Sequence, residues 1–90
     1  VYTAPADLNF AAALDKVQTR VRLGLYEDET SERCQWQVPD LHFLESWSDA
    51  RAFDGTASIV QPLIAPLYGG HSAHDVLTAM SNTPERTAYE

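Results

Sequence analysis

The sequence of 90 residues holds one cysteine, six basic side chains and no long apolar run, and each shortage excludes something. Cys34 alone can form no internal disulfide and cannot supply the several thiolates of an iron–sulfur cluster, so any cluster must lie elsewhere. Six Lys and Arg against 13 Asp and Glu leave a formal net charge of −7. That charge repels phosphate backbones and anionic lipid, and no local basic cluster offsets it, so nucleic acid is not an expected partner. No apolar stretch approaches the ~20 residues that cross a bilayer, and no basic segment leading into an apolar run opens the chain. No Gly-rich loop follows a strand-like segment, which removes the usual phosphate cradle.

What is present is enough to fold. Hydrophobic residues make up 44% of the chain against 21% charged, a balance that favours a globular chain over a disordered one. Ninety residues are expected to hold one core and to bury somewhat more than ~60% of their unfolded surface. A helix-like pattern starts close behind Val1, which leads us to expect a slice of a longer protein from which upstream sequence has been removed.

Pro5 suits a first helical turn, Asp7 adds favourable charge there, and Phe10, Ala13, Leu14 and Val17 recur at helical spacing, predicting a helix over 6–16. Over 19–26 the period switches to two: Val21, Leu23 and Leu25 alternate with Arg22 and Gly24, the pattern of a strand. The acidic Glu27, Asp28 and Glu29 follow, and 30–34 reads as a short helical turn capped by Asp28 or Thr30. Residues 35–38 alternate again and stop at Pro39, predicting a second strand.

Between 40 and 53 the pattern is mixed. Leu41, Leu44 and Trp47 fit a helix face, whereas Ser46, Ser48, Asp49 and the following Asp54-Gly55 favour irregular chain, so a loop is expected. Residues 56–60 are rich in strand formers, but Pro62 and Pro66 bracket Leu63-Ile64-Ala65, which limits any strand there to an edge. After Gly69-Gly70, Ser72-x-x-Asp75 resembles a capping box and Ala73, Val76, Leu77 and Met80 predict a last helix. The fold class expected from this order is α/β, a small open and mainly parallel sheet flanked by helices. It comprises a lobe over 1–80 and a polar, fraying tail over 81–90.

No catalytic or metal-binding constellation is complete, so the chain is not expected to be a whole enzyme. His71, His74 and Asp75 stand at helical spacing for a shared metal, but Ser72 and Asp75 are already accounted for by the cap, and solvent-facing polar residues are the favoured reading. His42 and Glu45 lie beside Trp47 and Asp49, where an aromatic wall would desolvate an imidazole and carboxylates; a hydrogen bond that merely orders the loop is the favoured alternative. A hydrolase built from His42, Glu45, His71 and His74 would require all four to converge. Cys34 has Glu32 and Arg33 nearby and reads as a buried structural thiol. Glu27, Asp28, Glu29 and Thr30 follow the carboxyl end of a strand, where open α/β sheets bind ligands, and carboxylates there accept from the N–H edge of a guanine or pterin while repelling phosphate.

The order strand, Glu29-Thr30, short helix, strand, Val38-Pro39 and then Glu45 resembles the late α/β domain of the molybdopterin oxidoreductase family. The string Cys34-Gln35-Trp36-Gln37-Val38-Pro39, His42, Leu44-Glu45-Ser46-Trp47-Ser48-Asp49, Gly55, Ser58-Ile59, Gln61-Pro62, Ile64 and Pro66-Leu67 is closest to one subgroup. In that subgroup such a domain is joined to an iron–sulfur portion, as in the alternative quinol-oxidising complex and polysulfide or tetrathionate reductase-like proteins. The likeness covers about residues 1–80 and rests on joint spacing. Cys34-Gln35 stands where the wider family has Ala-Asp, and Ser46-Trp47 where it often has Gly-Thr.

The resemblance implies a fragment of a larger Rossmann-like domain in a respiratory oxidoreductase subunit. Its role would be structural or cofactor-flanking in electron transfer, and it would be inactive alone. It places Glu29, Thr30, His42 and Glu45 toward a molybdopterin guanine dinucleotide whose metal ligand and cluster cysteines come from other parts of the parent. In the quinol-oxidising subgroup the corresponding portion has lost its pterin and serves as a scaffold, and both alternatives stay open. The implied partners are the remainder of the parent chain, an iron–sulfur domain or subunit and membrane-complex subunits, at the periplasmic side of a bacterial membrane complex. The isolated fragment is expected to self-associate. The rival expectation, from composition alone, is a free-standing acidic module that binds a basic partner and has no redox role.

Overall fold

The N-terminal helical pattern builds less helix than its spacing predicts. In the computed structural model, which describes residues 1–87 and 89, a single 3₁₀ turn (Ala6–Leu8) is followed by α1 (Phe10–Leu14). The break falls at Asn9, whose backbone is left-handed (φ 43°), a conformation Asn tolerates better than most residues. None of the residues of α1 is buried. A helix this short gains little from propensity alone, so without a packed face nothing carries it through to residue 16.

β1 (Val21–Gly24) and β2 (Trp36–Pro39) form a parallel pair. Gln35 and Trp36 N–H both donate to the Arg20 carbonyl (3.1 and 3.2 Å), and the Arg20 N–H donates to Gln35 Oε1 (2.8 Å), which fixes where the strands meet. The connection between them contains a 3₁₀ turn (Ser31–Arg33) in place of the α-helix usual in parallel crossovers.

The expected loop between 40 and 53 contains a strand. β3 (Ser48–Arg51) pairs antiparallel with β4 (Ala57–Val60) in the register Ser48↔Val60, Asp49↔Ile59, Ala50↔Ser58, Arg51↔Ala57. Ser48, Asp49 and Ala50 have little strand propensity; the turn imposes the pairing. The Ala52 N–H donates to the Thr56 carbonyl (2.8 Å), the Gly55 N–H to the Ala52 carbonyl (3.0 Å), and Gly55 supplies a positive φ of 89°. Asp54 Oδ1 accepts from the Thr56 N–H (2.9 Å), completing the turn.

α2 (Ala73–Ala79) starts where the capping box places it. Ser72 Oγ accepts from the Asp75 N–H (3.1 Å) and Asp75 Oδ2 accepts from the Ser72 N–H (2.8 Å). Just ahead of it, the His71 N–H donates to the Pro39 carbonyl (2.9 Å), and Gly70 lies so close to the Pro39 and Asp40 carbonyls that an added methyl would meet them at 3.1 Å.

The architecture is therefore mixed α/β, with two separate two-stranded sheets among the described residues, one parallel and one antiparallel. The chain divides into two units, Val1–Val38 and Pro39–Glu90. Neither holds a hydrophobic core: no hydrophobic residue is buried among those described, and Ser72, 5% exposed, is the one buried polar residue. The chain keeps 7342 Å² accessible to water. A monomer of this mass with a closed core keeps about 5,200 Å² and its unfolded chain exposes about 14,500 Å², so folding here buries about half the surface, less than length alone suggested.

Candidate functional site

Of the polar groups in Val1–Val38, Asp28 is the most heavily engaged. Its Oδ1 accepts from the Thr30 and Ser31 N–H groups (3.0 and 2.9 Å), its N–H donates to Ser31 Oγ (2.6 Å), and the Arg22 guanidinium grips both carboxylate oxygens, Nε to Oδ1 at 3.1 Å and Nη2 to Oδ2 at 2.5 Å. The hydrogen bond from Arg22, and after it the Ser31 N–H, hold the Asp28 carboxyl well below the usual carboxylate range. Arg22 also donates to the Leu23 carbonyl. Of the two caps expected for this turn, Asp28 performs the role. The Thr30 side chain does not cap; its Oγ1 accepts from the Val1 amino group at 2.7 Å.

Around this turn a cavity of about 570 Å³ opens, lined by Glu27, Asp28, Glu29, Ser31, Glu32 and Gln37. Glu29 is exposed at its wall. Gln37 reaches in from β2: its Nε2 donates to the Gly24 carbonyl (3.3 Å), and its buried Oε1 has no partner. With Asp28 engaged, the carboxylates of Glu27, Glu29 and Glu32 make an acceptor-rich wall, complementary to amino and N–H groups. Tested against the dinucleotide implied by the resemblance, these acceptors fit the N–H edge of a base and do not fit a diphosphate. Arg22, beside the turn, is already paired with Asp28 and Arg33, at its end, with Asp15, and Glu27, Glu29 and Glu32 repel phosphate.

In Pro39–Glu90, Glu45 is a clamp. Its Oε2 accepts from the His42 N–H (2.9 Å) and its Oε1 from the Leu67 N–H (2.8 Å), while the Glu45 N–H donates back to the His42 carbonyl (2.8 Å). The N–H of His42, then that of Leu67, lowers the Glu45 pKa. Next to it the Leu44 carbonyl accepts from the Leu63 and Ile64 N–H groups (2.8 and 3.1 Å), so the turn at 42–45 is stitched to the proline-bracketed segment. The imidazole of His42 is held locally: Nδ1 accepts from the Leu44 N–H (3.3 Å) and the ring lies 4.3 Å from that of the exposed Phe43. The interaction between His42 and Glu45 runs through the backbone of His42, and both carboxylate oxygens are engaged in ordering the loop.

A smaller cavity of about 240 Å³ is lined by Trp47, Ser48, Asp49, Ile59, His74 and Tyr89, with Trp47 and Tyr89 edge to face at 5.0 Å. His71 joins the backbone bridge to Asp40, and Asp75 is spent on the helix cap. Among the described residues no three His, Cys, Asp or Glu side chains form a group able to hold a metal ion, so the four-residue hydrolase centre does not assemble. No described helix is long and apolar enough to cross a membrane.

The four candidate residues thus fall in different units: Glu29 and Thr30 in the first, His42 and Glu45 in the second. Sequence reasoning missed Gln37, Ser31 and Glu32 as cavity walls. Ser31 and Glu32 lie within one turn of Asp28 and were findable from the expected helical turn. Gln37 was legible only as one residue of an alternating strand. Compared with known proteins, the chain matches no protein-family model and no curated protein.

Proposed function

We propose that this chain is a lobe of a respiratory oxidoreductase subunit of the molybdopterin oxidoreductase type, structural or cofactor-flanking in role and without turnover of its own. The observation that carries the reading is burial. Phe53, Leu67 and Tyr68 stand exposed and no described hydrophobic residue is buried, the condition of a piece whose apolar surface is covered by what it is attached to. The spacing from Glu29 to Leu67 supplies the identity of the parent, and the parallel pair β1–β2 is then part of a larger Rossmann-like sheet. The parent chain, an iron–sulfur domain or subunit and the membrane-complex subunits at the periplasmic face are the partners. Between the two forms of the family, the cavity wall at Glu27, Glu29 and Glu32 favours the scaffold form, because it offers a diphosphate no donor.

The experiment is to read the complete open reading frame and to isolate its product with whatever co-purifies. Further α/β sequence upstream, with cysteine motifs downstream or a cluster-bearing membrane partner, is the expected result. If neither sequence nor partner carries clusters, the reading fails. A second reading, a free acidic module, has the carboxylate-lined cavity in its favour, since Glu27, Glu29 and Glu32 suit a Lys- or Arg-bearing peptide. Binding to a basic peptide that weakens as salt rises, in a protein with no redox partner, would select it.

A further inference from the structure

The β3–β4 hairpin is a sheet of two strands, fewer than stand alone in water, and its outer strand carries none of the devices that keep edges single. β4 reads Ala57, Ser58, Ile59, Val60: no charge, no proline, no bulge, with Ile59 78% exposed. By contrast β3 presents Asp49 and Arg51 along its own edge.

Which backbone groups of β4 face outward follows from the register. The hydrogen bond between Ala52 and Thr56 begins the ladder, and antiparallel pairs alternate between bonded and non-bonded, so Ala50↔Ser58 and Ser48↔Val60 are the bonded pairs. Ala57 and Ile59 therefore turn their N–H and C=O groups away from β3. We propose that this edge pairs with β4 of a second copy of the chain, antiparallel about a two-fold axis at Ser58, to give a continuous four-stranded sheet.

In that register Ala57 faces Ile59 of the other copy and Ile59 faces its Ala57, satisfying four outward N–H groups and four carbonyls with no residue left over. Ser58 meets Ser58 of the other copy in a non-bonded pair, where Cα atoms approach to about 4.5 Å and a small hydroxyl side chain fits and can hydrogen-bond. The two exposed Ile59 side chains land diagonally on one face, each covered by the other and by an alanine. The contact is self-complementary, as a two-fold interface requires, and no charged residue of this acidic chain lies on the joined strands. The chain as a whole keeps about 2,000 Å² more surface exposed than a closed monomer, so apolar surface such as Ile59 is available to a second copy.

The test uses the 90-residue chain with Cys34→Ser to leave one reporter thiol. Ser58→Cys is expected to give a disulfide-linked dimer on mild oxidation, because the Cα separation at a non-bonded pair lies inside disulfide range. Arg51→Cys on the other edge is expected to dimerise as before without becoming disulfide-linked, since β3 lies outside the joint. Ile59→Pro removes only outward-facing N–H groups, so the hairpin persists and dimerisation measured by light scattering weakens about tenfold or more. A monomer at every concentration, or faster cross-linking through Arg51→Cys than through Ser58→Cys, would overturn the proposal. Should Ile59→Pro fail to fold, the two cysteine variants decide it alone.

Discussion

Asp28 and Glu45 each collect backbone N–H groups on a carboxylate, and both titrate below their ordinary values, Asp28 first through the hydrogen bond from Arg22 and then the Ser31 N–H, Glu45 through the N–H groups of His42 and Leu67. The sign of the linkage follows. A carboxyl whose folded pKa is depressed contributes stability that is complete above its unfolded pKa and lost as pH falls toward the folded one. For Asp28 the loss sets in below about its ordinary 3.8 and for Glu45 below about its ordinary 4.5. In Asp28→Asn the acid side of the stability curve should flatten and the Thr30 and Ser31 amides should exchange faster. Acid titration followed by circular dichroism, with hydrogen exchange at neutral pH, reads both effects; an unchanged acid limb would show that Arg22 and Asp28 contribute nothing. Glu45→Gln keeps one acceptor oxygen and turns an amino group on the second N–H, so protection at either His42 or Leu67 should be lost while the rest of the chain is unaffected.

At the scale of elements, two short features carry disproportionate weight. Ser72 is buried and closes the reciprocal cap of a helix only seven residues long, so Ser72→Ala should cost about 1 kcal/mol and visibly lower helicity at 222 nm. Ser72→Asn, another good cap, should recover part of it. Gly55 sits at φ 89° with nothing within 4 Å of an added Cβ, so Gly55→Ala meets no clash and its cost of about 1 kcal/mol is backbone strain alone. Loss of amide protection at Ser58 and Val60 in that variant would show the turn holding β3 against β4. Equal protection would mean the strands pair without it.

For the whole molecule, the area left in contact with water governs behaviour. Folding hides about 7,000 Å² where a closed domain of this length hides about 9,300 Å², and the urea dependence of stability scales with that area. The chain should therefore unfold with an m-value about three-quarters of that of single-core domains of equal size. A full-sized m-value in a protein shown to be monomeric would contradict the burial described above. Self-association through β4 would raise the value with concentration, a dependence that separates the two explanations.

The sequence by itself determined those features whose cause lies within a few residues. Ser72 and Asp75 specify where α2 begins, the alternation at 21–25 and 36–38 specifies two strands, and Asp28 specifies its turn, because each uses groups three or fewer positions apart. The lack of a Gly-rich loop after a strand is likewise a local feature, and it removes the usual phosphate cradle. Tertiary structure alone decided the rest. β3 is a strand because β4 lies beside it, although Asp54-Gly55 was a hairpin signal in plain view. The helix at the N-terminus stops at Leu14 because no packed face supports its extension. Glu45 reaches the Leu67 N–H across 22 positions, a distance no periodicity encodes. The physical reason is common to all three: cross-chain pairing and burial depend on which segments meet, and local spacing carries that information only when the partner is the next turn of the same element.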